Sequence, residues 1–443
     1  GRLVGADPGT AVTGPVEFDS RRIGPGGLFV AFRGENVDGH DFAAAAADAG
    51  AAGVLGTRDT GRPGIVVEDP LVALARLARA VVDRLPGLTV VGLTGSSGKT
   101  TTKDYIGQLL SRLGPTIAPA GSLNNELGHP YTVLKATPDT RFLVLEMGAR
   151  GIGHIRHLAE VAPPRIGVVL NVGPAHIGEF GSVEGTAKAK GELVEALPAD
   201  GTAILNADDP LVAAMAGRTA ARVVRFGESA DADVRATGVT VDERGRASYL
   251  LDSRAVRLGV VGRHQVSNTL AAAAVALEAG MPGDDVAAAL GELGIVSARR
   301  MDVYDRPDGV TVIDDSYNAN PSSTAAALRA LAALGHGRRT IAVLGYMAEL
   351  GPYEVDGHTE VGRLAAELGV DRLIAVAANA APILSGAAAV GSWQGQATAA
   401  ADQESAVAAL HADLRPGDVV LVKGSRYRTW EVADSLRPGK VSR

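Results

Sequence analysis

Short runs rich in Val, Ile and Leu alternate with alanine-rich stretches along most of the chain. LTVVGLTG, RFLVLEMGA, RIGVVLNVG, TAILNAD, GVTVIDDSY, RTIAVLGYM, DRLIAVA and DVVLVKGS are the apolar runs. Unbroken runs of this length read as strands buried on both faces, with helices between them as crossovers. The pattern predicts an α/β fold with helical layers around mostly parallel sheets. Several runs end in Gly, Asp, Glu, Asn or Lys, at the strand carboxyl ends where ligands collect in such sheets. The rhythm divides the chain into three blocks: 1–86, ending at RLPG; 87–297; and 298–443, where the strand and helix alternation restarts. Residues 220–260 are more polar and read as short antiparallel strands on a sheet edge. The stretch DFAAAAADAGAAG reads as a surface helix.

Composition narrows the class. A formal charge of −7 over 443 residues argues against a nucleic-acid-binding stripe. No segment offers about twenty apolar residues free of charge, and the chain shows no basic start followed by an apolar core, so neither a membrane span nor a signal peptide is expected. With no cysteine there is no disulfide, thiolate metal site or cysteine nucleophile. The expectation is a soluble cytoplasmic protein.

The candidate chemistry starts at GLTGSSGKTTTKDYI, residues 92–106. A strand leads into Gly95, Ser96, Ser97, Gly98, Lys99, Thr100 and Thr101, then into a helix start. Glycines let backbone approach a phosphate, the helix N-terminus offers free N–H groups, and Lys99 adds a full charge. Thr100 supplies a hydroxyl for Mg²⁺. The loop is a shortened phosphate cradle, because Leu93 occupies the place of its usual first glycine.

Further along, Glu146 closes the run FLVLE, where a phosphate-loop protein places the acid that orders Mg²⁺. His176 follows another run, and Lys188 and Lys190 lie beyond it on a helical stretch whose default reading is a solvated face. Asn268 opens an alanine-rich helix and could be its N-cap. The run GVTVIDDSYNANPSS gathers Asp315, Tyr317, Asn318 and Asn320 at one strand exit, which looks like a site. Lys423, Ser425 and Arg426 after the last run read equally well as a surface turn.

Together these stretches resemble the Mur ligase family of ATP-dependent amide-forming enzymes, over nearly the whole length. FDSRRIGPGGLFVAFRGENVDGHDF, GSLNNELGHPYTVL, HIGEFGSVEGTAKAKGEL and above all IDDSYNANPSS resemble the branch that adds a D-alanyl-D-alanine dipeptide. The meso-diaminopimelate-adding relatives typically carry a YAHTPD-like turn there and a DNPR signature later, and neither occurs. The resemblance implies three domains: an N-terminal α/β domain binding the UDP-substrate, a central P-loop NTPase-like domain binding ATP, and a C-terminal Rossmann-like domain that closes on the nucleotide. It implies two Mg²⁺ ions, held by Thr100, Glu146, His176 and Lys190, with Lys190 rather than Lys188 carrying a CO₂-derived carbamate. Asn268, Arg300 and Asp315 would reach the nucleotide, with a hinge near residues 296–299. Asp19, Ser20 and Arg21 would meet the uridine nucleotide and Asn124 and Asn125 the peptide. Tyr317, Asn318 and Asn320 would meet the dipeptide. The implied partners are UDP-N-acetylmuramoyl-tripeptide and D-alanyl-D-alanine, with the protein a monomer.

Some positions depart from the family pattern: Tyr346 where an acid is common, Arg299 in place of a frequent glycine, His129 in place of a small apolar residue, and the bulky Tyr, Arg and Trp of KGSRYRTWE where the family is usually small or apolar.

Overall fold

The computed structural model describes residues 1–173, 180–425 and 428–438. Their strands form three sheets. The first has five short strands, with Leu28–Val30 and Gly53–Gly56 at its middle and Arg2–Val4 as an antiparallel edge. The second has nine. Six neighbouring pairs, from Thr116–Ile117 across to Val234–Val241, run parallel. Arg246–Leu251 and Arg254–Val261 extend it as antiparallel strands, as the polar 220–260 stretch suggested. The third has six strands, parallel except for the edge strand Asp302–Asp305.

The alternation of apolar runs and helices thus builds sheets covered by helices on both faces. In the nine-stranded sheet, Thr89–Thr94 lies between Phe142–Glu146 and Ile166–Val169, and Val91 and Leu93 are fully buried. Burying a side chain of that size contributes about 1.5–3 kcal/mol. The helix Lys99–Leu110 then runs back over the sheet, packed beneath the helix Gln265–Glu278. Alanines 271–274 of the latter helix are all buried in the core around this contact. The stretch DFAAAAADAGAAG yields only the short helix Ala43–Asp48, two of whose alanines enter the core. Helix Pro70–Asp83 is shared: Leu74 packs with the first sheet, and Ala78 joins the core of the second.

The passage from the second sheet to the third is pinned before it is released. Ser297 is buried; its N–H donates to Asp104 at 3.0 Å and its hydroxyl accepts from Gly121 at 2.8 Å. Immediately beyond, Arg299 and Met301 adopt positive φ angles of 62° and 53°, unusual for residues with a Cβ. Arg299 is held there by the carbonyl of Trp430 and the carboxylate of Asp434, both at 3.2 Å.

His129 lies in the fully buried helix Gly128–Val133. Neither ring nitrogen makes a hydrogen bond among the described residues. Burial pushes its pKa down to about 3, and the nearby Leu158 backbone, which favours the charged form, does not offset this. The imidazole is therefore neutral in the native state, while the unfolded chain takes up a proton below its ordinary value of 6.5. Stability is lost as pH falls from 6.5 towards 3, by up to about 1.4 kcal/mol per pH unit. His129→Leu removes that loss, so its melting temperature should fall less steeply than the wild type's between pH 7 and pH 5. Parallel curves from thermal denaturation would refute this.

Candidate active site

The carboxyl ends of the second and third sheets face one cavity of about 380 Å³. On one wall the backbone leaves the buried strand Thr89–Thr94 and turns at Gly98, whose φ of 79° favours glycine. A Cβ there would come within 2.5 Å of Asn268 Oδ1. Asn268 is thus not the N-cap of its helix but lies in its first turn, bonded to Gln265 at 2.9 Å and pressed on the loop. Asn171, at the exit of the next strand, fixes the same loop by accepting from Ser97 N–H at 2.9 Å.

Lys99 donates to the carbonyl of Gly95 at 2.7 Å. Its surroundings pull its pKa downward, chiefly by burial, with Arg300 acting in the same sense and Glu146 and Glu349 opposing. Lys190 is fully enclosed, and burial together with the Lys99 charge lowers its pKa well below the ordinary lysine value. On helix Val183–Glu195, Lys190 falls on the buried face and Lys188 on the exposed one.

Glu146 gathers three donors. Its Oε2 accepts from Thr100 Oγ1 at 2.8 Å, and its Oε1 accepts from Ser122 at 2.8 Å and Asn124 at 2.7 Å. Thr100 Oγ1 in turn accepts from Arg300 Nη2 at 3.1 Å. Arg300 belongs to the third block, so this hydroxyl joins the two walls. The guanidinium lies 4.1 Å above the ring of Tyr317, and its Nε is buried without a hydrogen-bond partner among the described residues.

On the opposite wall, strands Thr311–Asp315 and Val419–Lys423 lie side by side and place their last residues together. Lys423 donates to Asp315 at 2.5 Å and to the carbonyl of Asn318 at 2.9 Å. Asp315 also accepts from Met301 N–H at 3.1 Å, which fixes the segment carrying Arg300. His264 completes this corner, its pKa pushed to about 4 by burial more than Asp315 restores.

Of the expected site residues, Ser96, Ser97, Gly98, Lys99, Thr100, Thr101, Asn124, Asn125, Glu146, Lys190, Asn268, Arg300, Asp315, Tyr317, Asn318 and Asn320 line this cavity. Asn125 and Asn320 spend their side chains on helix starts, accepting from Gly128 and Ser323 N–H, each at 2.8 Å. Asp19, Ser20 and Arg21 lie apart in the first block. There Arg21 clasps the Asp19 carboxylate, at 2.7 Å and 2.9 Å, and holds its pKa at about 2. His176 lies outside the described residues.

Glu349, His264 and Asn171 were not singled out from the sequence, and the surface-turn reading of Lys423 is wrong, since it is 2% exposed. Asn171 and Lys423 did carry a signal, as polar residues closing apolar runs.

Among the described residues no three His, Cys, Asp or Glu side chains cluster as a metal site. No helix among them is long and apolar enough to cross a membrane.

Comparison with known proteins agrees with this layout. Residues 15–82 match the model of the Mur ligase family, catalytic domain, 93–276 the Mur ligase middle domain, and 299–426 the Mur ligase, glutamate ligase domain. A UDP-N-acetylmuramoyl-tripeptide–D-alanyl-D-alanine ligase of Mycobacterium tuberculosis is 53% identical over 96% of this chain and 92% of its own. The Escherichia coli protein of the same name is 37% identical over 97% and 94%. The solved structure of MurF from Acinetobacter baumannii superposes with a TM-score of 0.85 at 32% identity, over 95% of this chain and 93% of that one. The MurF ligase of Thermotoga maritima, solved in complex with ADP, gives 0.82 at 30% identity, over 96% and 97%. On the matched models and the relatives that span it almost end to end, this chain belongs to the Mur ligase family.

Proposed function

We infer that this protein joins D-alanyl-D-alanine to UDP-N-acetylmuramoyl-tripeptide at the expense of ATP, the activity that its relatives carry by name. The observation that carries the reading is the cavity between two sheets, with the Lys99 loop on one wall and Arg300, Asp315 and Lys423 on the other. A phosphoryl group moving from ATP to a carboxylate brings two anions together, and cations must lie between them. Lys99 and Arg300 provide two, and the unsatisfied Arg300 Nε is a donor that an anion would satisfy. The resulting acyl phosphate is then open to attack by the dipeptide's amine.

Hard oxygen donors suit Mg²⁺, and Thr100 and Glu146 offer a hydroxyl and a carboxylate 2.8 Å apart. With Lys190 and His176 they form the set we assign to two ions, which when bound neutralise phosphate charge. Lys99 and Lys190 are like charges in a shared enclosure, which together with burial disfavours the Lys190 ammonium. A carbamate on Lys190 turns that repulsion into attraction and adds an oxygen ligand. Asn268 reaches the adenine side, and Asp19, Ser20 and Arg21 the uridine nucleotide. Asn124 and Asn125 reach the peptide, and Tyr317, Asn318 and Asn320 the dipeptide. Residues 1–86, 87–297 and 298–443 act as sugar-nucleotide, ATP and closing domains. The enzyme works in the cytoplasm, as a monomer, in building the peptidoglycan precursor.

The direct test is phosphate release from ATP and Mg²⁺ with the UDP-tripeptide, with the product weighed by mass spectrometry. Release should require D-alanyl-D-alanine; release with a single amino acid instead would move the acceptor. Lys99→Ala should lower turnover by at least ~100-fold while calorimetry shows unchanged UDP-tripeptide affinity, and parallel loss of both would refute the assigned division of labour. Lys190→Ala should lose a comparable factor and regain part of it with added acetate or formate. Full activity in that variant would exclude the carbamate.

A further inference from the structure

A second, shallower cavity of about 490 Å³ adjoins the first, bordered by Arg299, Ala348, Ser425 and Trp430. Its volume lies within the usual range for small-ligand sites. Tyr317, Asn318 and Glu349 line both cavities. Of these three, only Glu349 carries an anionic group. A cationic ligand passing from the second cavity towards the Lys99 loop therefore meets a carboxylate at the junction.

The loop that holds Glu349 is fixed from several sides. Met347 N–H donates to His358 Nε2 and Ala348 N–H to Ser425 Oγ, each at 2.9 Å. The Tyr346 carbonyl accepts from Ser425 N–H at 3.1 Å and from its hydroxyl at 3.0 Å, and Leu350 is buried. Between these anchors Glu349 adopts a φ of 67°, a conformation that residues with a Cβ rarely take. Such backbone strain persists only where its surroundings over-determine it, and it concentrates at functional positions. The Glu349 carboxylate is also close enough to Lys99 to favour that ammonium's charged form.

We propose that Glu349 is a catalytic residue that receives the ammonium of the incoming dipeptide and takes its first proton. The proposal rests on the ligase reading above. The acceptor enters as R–NH₃⁺ and is not a nucleophile until it loses a proton; that proton passes to the Glu349 carboxylate and from there to solvent. The nitrogen lone pair then forms the C–N bond to the acyl carbon. The C–O bond to phosphorus's bridging oxygen breaks, and its electron pair leaves with inorganic phosphate. The nitrogen's second surplus proton goes to that phosphate, leaving the neutral amide. Arg299, whose guanidinium is held by Asp434 and the Trp430 carbonyl, also borders the second cavity.

Glu349→Gln keeps the size of the side chain and removes its charge. Hydroxylamine, a nucleophile largely uncharged at neutral pH, traps an acyl phosphate as a hydroxamate without needing a base. With ATP, Mg²⁺ and UDP-N-acetylmuramoyl-tripeptide, the variant should still form the hydroxamate, while its kcat/KM for D-alanyl-D-alanine falls by at least ~100-fold. Glu349→Asp should recover part of that loss. Undiminished dipeptide ligation in Glu349→Gln would overturn the proposal and leave the ligase reading standing. So would loss of the hydroxamate along with the amide in a variant whose melting temperature is unchanged. No hydroxamate from the wild type would overturn the ligase reading and this role with it.

Discussion

One hydroxyl group joins the parts of this molecule that have to act together. Thr100 Oγ1 donates to Glu146 and accepts from Arg300, so the phosphate loop, the acidic strand end and the third block meet at a single oxygen. Each partner comes from a different place in the chain: a helix start, the exit of a neighbouring strand, and the segment just past Ser297. The hydrogen-bond geometry at Thr100 therefore reports on the relative position of two sheets. A shift of the third block by an ångström or two would withdraw Arg300 and change what Glu146 can bind.

The same economy of charge governs the rest of the cavity. Lys99, Lys190, Arg300 and Lys423 bring positive charge into a partly dry space, where unpaired charge is expensive. Lys423 is matched to Asp315, but a buried ion pair contributes little net stability because desolvation offsets the attraction. Its evident use is positional: Asp315 also holds Met301 N–H, and so sets where the preceding Arg300 begins. The ammonium form of Lys190 is disfavoured by its burial and by the neighbouring charge of Lys99. A site of this kind is built to receive anions.

Much of this was legible in the sequence because it is local. The loop Gly95 to Thr101, the acid at the end of FLVLE and the polar cluster after VTVIDD each follow directly on an apolar run, and strand exits in parallel sheets fall on one edge. What escaped depends on packing between distant elements. Lys188 and Lys190 lie roughly 200° apart around a helix, and only the face that packs decides which is buried. Lys423 reads as a surface lysine until the strand order puts it beside Asp315. Glu349 follows a run that ends four residues earlier, and nothing local reveals that its loop is pinned by Ser425 and His358. Asn268 reads as an N-cap, whereas its side chain lies in the first turn of the helix and against Gly98.

The crossing from the second sheet to the third is held on both sides. Arg299 adopts a positive φ, which glycine accepts at least cost. Here a bulky side chain is forced into that conformation and then held by Trp430 and Asp434. The strain has to be offset by those contacts, and they exist only while the end of the third block keeps its place. A glycine would move freely about this point, whereas Arg299 couples backbone conformation to the packing of the final helix. Ser297, on the near side, belongs to the second sheet through Asp104 and Gly121. The chain thus crosses from the second sheet to the third between these two anchors, and Arg300, just beyond them, reaches Thr100.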